Sequence, residues 1–85
     1  MRLHNPGIPI RVQADPQGRP EAFTLQGRLH RVDSLEEHRE PHLDWWNPLG
    51  EAHRSYWLLT TERGLICELC QDLADGSWRL VRELD

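Results

Sequence analysis

The chain has 85 residues and a formal charge of −4, with 28% charged and 38% hydrophobic residues. That bounds it to one small domain with a thin core, since a chain this short buries only about 60% of the surface its unfolded form exposes. No run of about 20 apolar residues exists to span a membrane. Met1–Ile10 carries Arg2, His4 and two prolines and lacks the apolar segment of a secretion signal, so a cytoplasmic location is expected.

In chain order, residues 1–7 read as a loose leader. Ile8, Ile10 and Val12 alternate with polar residues and Pro9, the period-2 signature of a half-buried strand. Asp15-Pro16-Gln17-Gly18 is a turn, with Pro second and Gly fourth. Phe23 and Leu25 mark a second strand, and Gln26-Gly27 a tight turn. Arg28–Leu35 reads as a third strand with Leu29, Val32 and Leu35 as its apolar positions. Their spacing of three calls for a β-bulge near Arg31, or for a short helix opening at Ser34. Residues 36–54 form the longest polar stretch. Pro41, Pro48, Gly50 and three histidines (38, 42, 53) predict an irregular loop around Trp45-Trp46.

Beyond Ser55 three strands follow, 55–61, 65–72 and 77–84, joined by turns at Glu62-Arg63-Gly64 and Ala74-Asp75-Gly76. They form a C-terminal three-stranded meander, with Trp78, Leu80, Arg82 and Leu84 expected on one face. Strands 55–61 and 65–72 are apolar on both faces, so barrel closure, the Trp45-Trp46 loop or a second subunit must cover one of them. The fold class is mainly β: one small antiparallel sheet or a partly closed β-barrel of about six strands.

Charge is uneven. Residues 1–34 hold five arginines against three acids, and residues 35–85 five against eleven. All ten basic residues are arginine. Cys67 and Cys70 are too few for a disulfide framework and read as free thiols. A C-x-x-C pair is half of a zinc site. In a strand, residues three apart point to opposite faces, so these two sulfurs cannot grip one ion. No metal or other cofactor is expected. No nucleophile elbow, phosphate loop or spaced acid–base pair is present, which argues against an enzyme.

The same residues resemble a small bacterial domain family of unknown function that also forms the C-terminal domain of ImuB-type proteins, relatives of Y-family DNA polymerases. In the front half the likeness rests on Pro9, Val12, Asp15, Gly18, Pro20, Phe23, Gly27-Arg28 and His30-Arg31-Val32, followed by Trp45-Trp46. In the back half it rests on Tyr56-Trp57, Gly64, Glu68-Leu69, Asp72, Gly76-Ser77-Trp78, Leu80, Arg82 and Asp85. Cys70 and Leu84 stand where the family pattern has aromatics. The resemblance implies a setting in DNA repair and translesion synthesis.

The expected function is therefore a non-catalytic interaction module that binds a protein partner or a second copy of itself. Trp45, Trp46, Tyr56 and Trp57 are the candidate interface residues. One of the paired tryptophans, Trp46, is expected to pack on the meander and the other to reach outward. The alternative is a single-stranded nucleic-acid-binding barrel, with Arg28, Arg31, Arg79 and Arg82 contacting phosphates beside aromatic platforms. A zinc module built from the cysteines and histidines is the lesser alternative.

Overall fold

The structure is a computed structural model that describes residues 1–40 and 54–84. Six strands are present: β1 (Arg2–Ala14), β2 (Pro20–Leu25), β3 (Arg28–Arg39), β4 (Arg54–Thr61), β5 (Ile66–Asp72) and β6 (Trp78–Glu83). Each pairs antiparallel with the next, and β1 pairs with β6, which closes the sheet into a barrel. Closure removes the unpaired edges that an open sheet of six strands would carry. The described residues contain no helix, so Ser34 lies within β3 rather than at a helix start.

Two segments are more regular than their composition suggests. The expected leader is part of β1, paired to β6 through Arg2↔Glu83 and Leu3↔Arg82. Part of the expected loop, Glu36–Arg39, extends β3 along β4 as far as Arg39↔Tyr56. In both cases the partner strand supplies the ladder that a polar segment cannot supply by its own apolar pattern.

The turns follow local chemistry. Gln26 and Gly27 both have positive φ, 51° and 81°, the backbone of a two-residue hairpin whose twist matches its strands. The Asp15 carboxylate accepts from the backbone amides of Gln17 and Arg19, both at 2.9 Å. Those bonds hold its pKa below the ordinary carboxylate range, with the Arg19 amide the main cause.

The core lies inside the barrel. Phe23, Trp57, Leu59, Cys67, Leu69, Trp78 and Leu80 are buried there, with Ile8, Ile10, Val12, Leu25, Val32 and Leu65 packed against them. On β3 the inward positions include His30 and Val32, whereas Leu29 and Leu35 are exposed. The spacing of three does not come from a bulge at Arg31, where the pairing with β2 is regular; the irregularities fall later, between Val32 and Ser34 and between Leu35 and Glu37. His30 stacks on Phe23, with ring centroids 5.1 Å apart. Burial, and then the nearby Arg63 and Arg28 cations, lower its pKa.

Candidate functional site

Successive residues on a strand face opposite ways, and that divides the expected interface. Trp57 points into the barrel and is 7% exposed. His38 stacks flat on it at 3.6 Å, and the Nε2 of His38 lies 2.6 Å from Ser55 Oγ. Trp57 is thus a core residue rather than a contact for a partner. Tyr56, its neighbour, faces outward. Of the four described aromatics, Phe23, Trp57 and Trp78 are buried, which leaves Tyr56 alone on the outer surface. Trp45 and Trp46 lie outside the described residues.

Tyr56 belongs to a groove of about 550 Å³. Its floor is the row Tyr56↔Cys70↔Arg79 across β4, β5 and β6. Its wall is a break in the β1–β6 pairing. Between Leu3↔Arg82 and Ile8↔Leu80, residues His4–Gly7 on β1 oppose Val81 alone on β6. The extra length rises beside the floor. Two contacts hold it down: Arg79 Nη1 donates to the Gly7 carbonyl at 2.8 Å, and His4 Nε2 meets Glu83 Oε2 at 2.7 Å. Arg54 and Arg79 line the groove together with Asp72 and Asp75, so its charge is mixed.

A second outward row lies alongside. Leu58↔Glu68↔Arg82 crosses the same three strands. The Glu68 carboxylate is buried, with Arg39 Nη2 and Arg82 Nη2 each 3.4 Å from its Oε2. Arg39 also lies over the Tyr56 ring, 4.7 Å from its centroid, at cation–π distance. Simple alternation puts Arg82 on the face of Trp78 and Leu80. The register shift that leaves Val81 over turns it outward instead, opposite Glu68. Arg39 lies over Tyr56 on the outer face of the meander, and barrel closure covers the inner face.

The structure therefore brings Tyr56, Arg79 and Arg82 onto one outer face. Arg28 and Arg31 lie elsewhere, at the start of β3, beside Arg63 of the β4–β5 turn. His4, Gly7 and Arg54 are among the groove residues that the sequence reading did not name as interface residues, and Cys70 was read only as a free thiol. Pro6-Gly7 was the one local signal, and it reads equally well as a loose end.

The cysteines sit on opposite faces of β5, as their spacing requires: Cys67 opposite Leu59 inside, Cys70 opposite Tyr56 outside. Burial pushes the Cys67 thiol up to about 12 and also raises that of Cys70. Both are held as thiols, the unreactive form. Among the described residues no three His, Cys, Asp or Glu side chains are grouped to hold a metal. The Ser55–His38 contact is not a nucleophile–base pair open to substrate. Ser55 is 2% exposed, and Glu40 approaches the same Nε2 at 3.5 Å instead of the opposite ring nitrogen that an orienting carboxylate would take.

A family model described as a domain of unknown function, DUF6504, matches residues 7–85. The chain belongs to that family. No curated protein and no solved structure matches it.

Proposed function

We propose that the domain is a non-catalytic interaction module that holds a short segment of a partner protein in the outer groove of β1, β4, β5 and β6. The mixed lining of this groove carries the reading. Arg54 and Arg79 beside Asp72 and Asp75, with Tyr56 between them, suit a peptide that presents both charges and an apolar contact. A polyanion would meet the two aspartates as repulsion. Among the described residues the stacking of bases has only Tyr56 to use, and Arg39 already lies over that ring. A peptide adding as an extra strand is also disfavoured, because a closed barrel has no edge to offer. The setting we infer is DNA repair by translesion synthesis. What supports it is the residue-by-residue likeness to the C-terminal domain of ImuB-type proteins.

A displayed peptide library that includes tiled segments of translesion polymerases and their accessory proteins tests this. Selected peptides should bind the purified domain and lose about tenfold or more in affinity on Arg79→Glu or Tyr56→Ala. Arg31→Glu, on the other side of the barrel, should leave them unchanged. Failure to select any peptide, or equal binding to all variants, overturns the reading. Sizing of the free domain over a wide concentration range tests the case in which the partner is a second copy.

A further inference from the structure

Fourteen acids face ten arginines in this chain, so a guanidinium has ample opportunity to pair. Arg19 does so with Asp15, Arg39 and Arg82 with Glu68, and Arg79 with the Gly7 carbonyl, and Arg54 has a partner as well. Arg28, Arg31 and Arg63 do not. Among the described residues none of the three has a hydrogen bond or ion pair from its side chain, yet they line one hollow of about 300 Å³. Arg28 and Arg31 come from the start of β3, and Arg63 from the β4–β5 turn. The turn is fixed to β3 by a hydrogen bond from the Glu62 amide to the Arg31 carbonyl at 2.9 Å, so the backbone holds the turn that carries Arg63 beside Arg31. Glu62 is the one acid in the hollow, and it makes no ion pair with them. The field of these cations extends inward, where Arg63 and Arg28 both help keep His30 neutral. Three like charges sharing a hollow with one carboxylate leave a net positive charge that repels, and an anion in their midst removes that repulsion.

We propose that Arg28, Arg31 and Arg63 form a phosphate-binding site, separate from the peptide groove. Guanidinium forks match the oxygens of a phosphate, and three converging from two elements can bond one group from several sides. Leu29, 41% exposed in the same hollow, offers an apolar surface beside it. A phosphodiester of single-stranded nucleic acid and a free phosphate share this chemistry, and the test separates them.

The probes are a fluorescein-labelled dT12 oligonucleotide followed by anisotropy and inorganic phosphate followed by arginine side-chain NMR, both at low salt. An oligonucleotide that binds with a salt slope of about 0.7 log units per decade, the value for one phosphate neutralised on a single strand, identifies nucleic acid as the source. Phosphate that shifts the three arginine signals, with no oligonucleotide binding, identifies the free anion. In either case Arg31→Gln with Arg63→Gln should weaken binding at least tenfold, while Arg79→Gln leaves it unchanged. All three substituted positions are exposed, and unchanged thermal melting of each variant confirms its fold. Absence of both signals, or binding that survives the double substitution, overturns the proposal.

Discussion

Gly7 lies against Arg79 so closely that a Cβ added at Gly7 would stand 2.9 Å from the Cβ of Arg79. The same hypothetical atom would meet the Leu80 carbonyl oxygen at 3.1 Å, and neither neighbour is the free end of a flexible side chain. Glycine is needed here for close approach. It lets the extra length of β1 bend down onto β6, where Arg79 fastens it and in doing so presents its own guanidinium to the groove. The wall and a floor residue are thus one unit.

Gly7→Val should therefore lift the wall. Overpacking of this kind costs about 1–3 kcal/mol. Urea melts should show that loss, and peptides selected on the native groove should bind weakly to the variant. Unchanged stability together with unchanged binding would mean that the wall can move aside without consequence.

Cys67 should resist alkylation. Its thiol pKa is about 12, against 9.0 for an ordinary thiol, so at pH 8 the folded chain presents almost no thiolate there. Iodoacetamide followed by mass spectrometry should label Cys67 slowly in buffer and readily in urea. The same shift makes stability depend on pH. A folded-state pKa raised above the unfolded value gives a contribution that is full below about pH 9 and is lost progressively towards pH 12. Cys67→Ala should soften that alkaline limb.

His30 should produce an acid limb. Its pKa is lowered in the fold, by burial first and then by Arg63 and Arg28, with Glu83 opposing. The unfolded chain, with an ordinary histidine pKa of 6.5, takes up a proton before the folded one does. Stability from this group is therefore full above pH 6.5 and falls as pH drops through the folded value. Other groups also change charge as the pH falls, so the variant matters more than the raw curve. His30→Phe keeps a ring against Phe23 and removes the Nδ1, which is buried without a partner. It should flatten part of the decline below pH 6.5 while leaving stability at pH 8 equal or higher. An unaltered slope would assign the limb to other groups.

The strand number, the antiparallel order and most turns were legible because they depend on local signals: alternation in Ile8–Val12 and Phe23–Leu25, and turn chemistry at Asp15–Gly18 and Asp75-Gly76. What escaped was set by pairing. Arg2–Gly7 and Glu36–Arg39 have no apolar alternation, and only β6 and β4 make strands of them. Arg82 looked like a companion of Leu80 until the surplus residue at Val81 turned it over. Arg63 sits in a turn, where nothing in the sequence ties it to Arg28 and Arg31, thirty-odd positions earlier. The groove itself is a product of register, since its wall exists only because four residues of β1 face one of β6.

Glu68 is the most exacting test of the outer face. It is 6% exposed on a surface that would otherwise be wet, roofed by two arginines whose own side chains are 50% and 32% exposed. Its contacts with them, 3.4 Å each, are longer than the 2.7–2.9 Å or so of a good charge-assisted bond. Attraction at that distance offsets the desolvation of the carboxylate without much surplus. Removing the carboxylate frees two arginines that can turn to water. Removing their charges strands a buried anion. The two changes should therefore differ in size. Glu68→Leu, which puts an apolar group across from Leu58 beneath the Arg82 stem, should cost under about 1 kcal/mol or stabilise the fold. Arg39→Met with Arg82→Met keeps the covering stems and deletes both charges, and should cost about 3 kcal/mol. Adding Glu68→Leu to the double methionine variant should then recover most of that loss. Urea melts of the three variants measure all of this. If Glu68→Leu is the more damaging change, or if it fails to rescue the pair, the arginines contribute packing alone and the carboxylate is held by something other than their charge.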